Sequence, residues 1–171
     1  KEWMPAITFG THFKWNDNIW DINKQLLGTC EALGVDDDFG VEFTMMATKM
    51  FKEAFFGKPV ILSAGIRNGG AVHTGFLGLC DTRKSTVEGS MVVFLTDKLL
   101  FATEYRQKSD LADQCVVNGE TLVGEEDDWY DFCLAYIVND NMTISGGYAN
   151  FGQVLDSNAN NVWALQMKYE F

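Results

Sequence analysis

The sequence lacks several features that would identify a class of protein at once. No stretch of about 18 apolar residues occurs, which excludes a membrane-spanning helix but not spanning β-strands, whose hydropathy signal is weak. Basic residues are few, with 13 lysines and arginines against 24 aspartates and glutamates, so the formal net charge is −11. Nucleic acid is therefore not an expected partner, because its binding relies on a basic surface. The four cysteines form no C-x-x-C pair and only two histidines are present, so neither a metal site nor a cofactor is predicted.

The sequence is instead rich in segments that alternate with a period of two. The clearest is the stretch 161–171, where one face is apolar and aromatic and the other is mainly small or polar. The first face holds Trp163, Leu165, Met167, Tyr169 and Phe171, and the second holds Val162, Ala164, Gln166, Lys168 and Glu170. Successive residues of a strand point to opposite faces. About ten residues is also the length with which a tilted strand crosses a bilayer.

Seven further segments alternate in the same way: 5–15, 40–51, 59–68, 85–96, 99–107, 129–138 and 142–150. They predict an all-β fold, an antiparallel transmembrane β-barrel with about eight strands in this chain. No linker of glycine, serine or proline interrupts residues 1–171, which are expected to form one domain.

The connections between these segments alternate in length. Those at 96–98 and 139–141 are short and that at 52–58 is somewhat longer, whereas those at 16–39, 69–84, 108–128 and 151–160 are long. Barrels of the Gram-negative outer membrane have short periplasmic turns and long extracellular loops. The pattern predicts that the C-terminus is periplasmic and that all four long loops are extracellular.

A soluble β-barrel or sandwich is the alternative, because alternation only shows that the two faces differ. In such a protein the apolar face would point inward. Aromatic residues near strand ends, among them Trp15, Tyr105 and Tyr130, favour a membrane barrel with interfacial aromatic girdles.

In the membrane interpretation the second face lines the lumen, and it carries charges of both signs. These residues are Lys14, Glu42, Arg67, Glu88, Glu104, Arg106, Asp131, Lys168 and Glu170. They predict either an ion-pair network that fills a narrow barrel or a selectivity zone in a water-filled pore.

Three of the four cysteines, Cys30, Cys80 and Cys115, fall in long connections. An oxidising compartment would permit a disulfide between two of them. The fourth, Cys133, falls within a predicted strand and is expected to be a thiol.

Several short stretches resemble an uncharacterised bacterial family of predicted outer-membrane proteins, domain of unknown function 3034. They include 47–51 (ATKMF), 63–67 (SAGIR), 102–106 (ATEYR), 126–131 (EDDWYD) and 147–152 (GYANFG). The resemblance implies no catalytic or ligand residue. It implies that family members are longer, in which case this chain would be the C-terminal part of a larger barrel.

Three functions follow as hypotheses. The first is a porin-like passive channel for small solutes, and the second is a closed barrel that anchors or scaffolds a surface assembly. The third, an outer-membrane enzyme, is the weakest, because neither histidine has a serine or aspartate partner at a recognisable spacing. Outer-membrane lipid and the barrel-assembly machinery are the expected partners, with a homo-oligomer or a surface complex as a further expectation. Trp163, Leu165, Met167, Tyr169 and Phe171 resemble the terminal signal that the assembly machinery is understood to read.

Overall fold

A computed structural model of the chain describes residues 3–70, 75, 78–109, 116–117, 120–121, 127–154 and 157–170. Most of them belong to one antiparallel sheet of eight strands. Its strands are β1 (Ala6–Trp15), β2 (Phe39–Phe55), β3 (Lys58–Gly69), β4 (Lys84–Phe94), β5 (Leu99–Arg106), β8 (Trp129–Asn139), β9 (Met142–Asn150) and β12 (Val162–Tyr169). The all-β prediction is confirmed, and each of the eight predicted segments corresponds to one of these strands.

The sheet is an up-and-down meander. Its order is β1-β2-β3-β4-β5-β8-β9-β12, so the strands of this sheet pair in the order in which they follow one another along the chain. The strands missing from this numbering are two-residue strands that form separate hairpins. All long connections therefore leave from one end of the sheet, called here the long-loop end, and the tight turns lie at the short-turn end. The terminal strand β12 pairs antiparallel with β9, from Val162 opposite Ala149 to Tyr169 opposite Met142.

The sheet is not closed. β1 and β12 are its two edges, and no register within the described residues joins them. The sheet is nevertheless strongly curved, because Met46 of β2 and Asp131 of β8 line the same cleft although three strands separate them. The predominantly polar face is thus the concave one.

Two short helices follow β1. They are α1 (Ile19–Gln25) and α2 (Thr29–Ala32). The side chains of Ile19, Cys30, Val35 and Leu79 form a small buried cluster that joins this connection to the one between β3 and β4. The backbone N–H groups of Asp36 and Asp37 both donate to the Leu79 carbonyl at 3.2 Å, which fixes the two connections together.

The remaining strands are two-residue pairs in the long connections. They are β6 (Val116–Val117) with β7 (Glu120–Thr121), and β10 (Gln153–Val154) with β11 (Ser157–Asn158). No helix among the described residues is long and apolar enough to cross a membrane.

Candidate functional site: the concave face

The distribution of polarity across the sheet is the reverse of that in a soluble protein. Along β8 the side chains of Tyr130, Phe132, Leu134 and Tyr136 are exposed, while the intervening residues of the concave face are partly buried. The same large apolar exposure recurs on β1, where Phe9, Phe13 and Trp15 are each at least 70% exposed. The buried side chains of the sheet, by contrast, include the charged residues Glu42 and Arg67.

Aromatic residues cluster at the ends of the strands that lie at the long-loop end of the sheet. Trp15 packs edge-on against Phe39 at 5.3 Å between ring centroids, and Tyr148 packs in the same way against Trp163 at 5.2 Å. Tyr105 lies opposite Tyr130 in the β5–β8 register. Sequence analysis singled out several of these residues, and the strand register explains why they form pairs.

Four of the predicted lumen charges meet in one network. The Arg67 guanidinium donates from Nη1 to Oε2 of Glu42 at 2.7 Å, and from Nε and Nη2 to Oε2 of Glu88 at 3.1 and 3.0 Å. Arg106 Nε lies 3.4 Å from the same Glu88 oxygen. Glu42 is 1% exposed and Arg67 is 7% exposed. The centre of the network is therefore buried, while the Arg106 side chain is 34% exposed, and each charge has a partner of opposite sign.

A glycine makes room for this network. Gly69 ends β3 beside Glu42, and a Cβ added there would lie 2.2 Å from Cγ of Glu42 and 2.9 Å from its Cβ. A side chain at this position would displace Glu42 from Arg67. This contact could not be predicted from the sequence, because residues 42 and 69 meet only through the β2–β3 register.

Lys14 lies at the same end of the sheet. It interacts electrostatically with Cys80 and with Glu42. Its Nζ is buried and makes no hydrogen bond within the described part of the chain. Lys14 thus adds positive charge beside the network without a direct ion pair.

A second group of charges lies further along the concave face. Glu104 and Asp131 are directly opposite each other on β5 and β8, and Asp131 Oδ1 accepts a hydrogen bond from the Glu104 backbone N–H at 3.2 Å. With Glu88, Ser90 and Arg106 they line an open cleft of about 390 Å³. Neither the Glu104 nor the Asp131 carboxylate forms an ion pair with a described basic side chain, so this part of the cleft is acidic.

Two of the predicted lumen charges lie elsewhere. Lys168 forms an ion pair with Glu170 at 2.6 Å, at the exposed short-turn end of β12. The Lys168 ammonium lowers the pKa of the Glu170 carboxyl. These two residues are therefore separate from both the buried network and the cleft.

One contact near the cleft was not anticipated from the sequence. The Lys108 ammonium lies 4.8 Å from the ring centroid of Trp129, and its backbone N–H donates to Asp128 Oδ1 at 3.0 Å. Asp128 also accepts from the Tyr105 hydroxyl at 2.5 Å. The Asp128 carboxylate thus joins residues that lie 20 and 23 positions before it in the sequence.

The cysteines that the structure describes are thiols. Cys30, Cys80 and Cys133 are not bridged in the structure, and Cys115 lies outside the described residues. The predicted bridge is accordingly not present between Cys30 and Cys80. Burial raises the pKa of the Cys80 thiol to about 11, and the Asp36 carboxylate contributes to the rise.

The residues of the predicted terminal signal lie on one face of β12. Trp163, Leu165, Met167 and Tyr169 are all exposed, while Phe171 lies outside the described residues. Among the described residues there is no group of three histidine, cysteine or acidic side chains that could hold a metal ion.

The chain was compared with curated proteins, solved structures and known protein families. Neither a curated protein nor a solved structure gives a significant match. The family match covers residues 1–168, nearly the whole sequence. The chain belongs to the family described as Protein of unknown function (DUF3034).

Proposed function

We propose that this chain forms the wall of an outer-membrane β-barrel that acts as a porin-like passive channel for small solutes. The observation that carries the proposal is the reversed polarity of the sheet. Its convex face exposes large apolar side chains, while charged side chains are buried on the concave face. In water such an apolar surface would favour aggregation, whereas in a bilayer it would contact acyl chains.

The proposed orientation follows from the connections. Short turns would face the periplasm together with the C-terminus, and the four long loops would face the outside of the cell. The convex face would contact outer-membrane lipid. The barrel-assembly machinery would recognise β12 through Trp163, Leu165, Met167 and Tyr169, with Phe171 completing the signal.

Insertion into lipid requires that the β1 and β12 edges be paired, because unsatisfied backbone groups are costly in hydrocarbon. We infer that the sheet closes, either by pairing β1 with β12 or through further strands. The first arrangement can be tested with cysteines that replace Thr8 and Gln166. The variant used should have its native cysteines changed to serine. A cross-link within one chain supports direct closure, a cross-link between chains supports a homo-oligomer, and the absence of both supports further strands.

The cleft gives the proposed channel a preference for cations. Glu104 and Asp131 line it, and neither forms an ion pair with a basic side chain of the described residues, whereas Arg106 of the same cleft is paired with Glu88, so the local potential is negative. Rings of acidic side chains favour cation passage. Single-channel conductance of the purified protein in a planar bilayer tests the proposal, with cation-to-anion permeability as the second measurement.

The decisive variant changes Glu104→Gln and Asp131→Asn together. Conductance should persist and the preference for cations should decrease. Glu53→Gln is the matched control, because Glu53 is an exposed acid near the β2–β3 turn, away from the cleft. A protein that inserts but conducts no ions contradicts the channel.

A structural scaffold is the second candidate, and the interlocked network supports it. Arg67, Glu42, Glu88 and Arg106 satisfy one another across β2 to β5, as expected for a barrel filled by its own side chains. Stable insertion without conductance would favour this function. Failure to insert into any bilayer would contradict both candidates.

A further inference from the structure

The β2–β3 hairpin extends beyond the strands on either side of it at the short-turn end. The last β1 residue in register is Ala6, opposite Thr48, and the last β3–β4 pair is Val60 with Val93. Residues 49–58, called here the hairpin tip, therefore pair only with each other and with residues 60–62 of β3 among the described strands. Every residue from 50 to 57 is exposed.

The turn of this hairpin contains an unfavourable residue. Phe55 pairs with Lys58, so Phe56 and Gly57 form a two-residue turn, and their φ angles are +47° and +75°. Two-residue turns with positive φ at both positions favour Asn-Gly. A bulky residue is an outlier at positive φ. The Phe56 side chain is 92% exposed, and its ring packs edge-on against that of Phe55 with 4.8 Å between the centroids, so most of the ring remains open to the surroundings.

The side chains around Phe56 combine aromatic and basic character. Met50, Phe51 and Phe55 are also exposed. The tip contains three lysines, Lys49, Lys52 and Lys58, and a single acid, Glu53, and Lys58 forms an ion pair with Asp97 at 2.5 Å. The chain as a whole has a formal charge of −11. The tip is thus a positively charged patch on an acidic protein.

The first residues of the chain extend this patch. Lys49 Nζ donates to the Trp3 carbonyl oxygen at 2.6 Å, and the Trp3 side chain is exposed. Lys49 also lies 5.2 Å from the ring centroid of Phe51. Trp3 and Phe51 are thereby presented beside the same ammonium group.

We propose that the hairpin tip binds the anionic headgroup layer of a lipid bilayer, with Phe56 inserted at the interface. This inference rests on the proposed membrane function and adds a lipid class to it. Aromatic rings favour the boundary between headgroups and acyl chains. Lysines close to the surface are attracted to anionic lipids. At the long-loop end, Asp36, Asp37, Asp38 and Asp81 would be repelled by such a surface.

The test uses the full chain, purified in detergent and mixed with vesicles. One set is phosphatidylcholine alone, and the other also contains phosphatidylglycerol. The wild type should associate more strongly with the anionic vesicles. The double variant Lys49→Gln, Lys52→Gln should lose most of this preference. Each lysine should account for about a fivefold change in association with the anionic vesicles.

Phe56→Asn separates lipid binding from stability. Association with both vesicle types should decrease roughly tenfold, because the variant removes the aromatic side chain that is inserted at the lipid interface. The midpoint of thermal unfolding in detergent should remain unchanged or rise, because asparagine suits the turn. The matched control is Leu27→Asn, since Leu27 is 96% exposed at φ +55° in the connection after α1 at the long-loop end. It should leave lipid association unchanged.

The outcomes distinguish this inference from the function on which it rests. A wild type that inserts into neither vesicle contradicts the membrane function and the inference together. Insertion that is equally strong in both vesicles, or unchanged in Phe56→Asn, contradicts the inference alone. A self-association in detergent that Phe56→Asn abolishes would assign the tip to a second copy of the chain and likewise overturn lipid binding.

Discussion

Arg67 and Glu42 form a buried ion pair, with Arg67 Nη1 2.7 Å from Glu42 Oε2. The two residues lie on adjacent strands, and Arg67 is in register with Thr44, two residues from Glu42. A diagonal pair of this kind lies within reach of long side chains on one face of a sheet. The pair thereby fixes β2 to β3, and Glu88 extends the link to β4.

Arg67→Met should be strongly destabilising, because it leaves the buried Glu42 carboxylate without its closest cation. Breaking a buried pair in this way costs about 3–5 kcal/mol. Urea unfolding in detergent micelles measures the effect. The control is Lys24→Met, which removes the exposed pair with Asp21 and should cost less than about 1 kcal/mol. Equal losses in the two variants would show that the network contributes little to stability.

Gly69→Ala should destabilise the same network without changing any charge. The added Cβ would clash with Glu42, whose Cγ lies 2.2 Å from its position. Overpacking of this kind typically costs about 1–3 kcal/mol. Gly89→Ala is the matched control, because its nearest contact is the Ser63 carbonyl oxygen at 3.3 Å. The free energy of unfolding should fall clearly more for Gly69→Ala, and the reverse order would contradict the crowding at Glu42.

Leu134→Arg should prevent assembly into a membrane, whereas Ser90→Arg should be milder. Leu134 is exposed on the convex face, and Ser90 lines the cleft of the concave face. An arginine facing lipid near the midplane costs about 2–4 kcal/mol. The fraction of protein recovered in the membrane after expression is the measurement. Equal damage in the two variants would mean that the convex face does not contact lipid.

The Cys80 thiol should react slowly with alkylating reagents at neutral pH. Burial raises its pKa from 9.0 to about 11, so little thiolate is present. The raised pKa means that the folded state disfavours the Cys80 thiolate. The stability that the protonated thiol contributes to the folded state is therefore complete below pH 9.0 and is lost as pH rises towards about 11. Mass spectrometry of iodoacetamide labelling at Cys80 between pH 7 and 11 tests the prediction. The unfolded chain is the control, and a labelling midpoint shared by both states would contradict it.

The amino-acid sequence by itself determined the strands, their number and their neighbours. Alternation is a local property, so the eight segments could be located without knowledge of any contact. The short turns then predicted three antiparallel hairpins, as in the turn at 139–141 that joins β8 to β9. The period of two also separated an aromatic face from a polar one, although it could not indicate which face would be exposed.

Only the tertiary structure decided which face is concave and which charges meet. Glu42, Arg67, Glu88 and Arg106 belong to four strands, and their contacts depend on register and curvature, which alternation does not specify. Lys168 and Glu170 have the same pattern in the sequence, yet they pair with each other at the end of an edge strand. The exposed phenylalanine at φ +47° was likewise invisible in the sequence, because the turn that imposes this angle is fixed only by the pairing of Phe55 with Lys58.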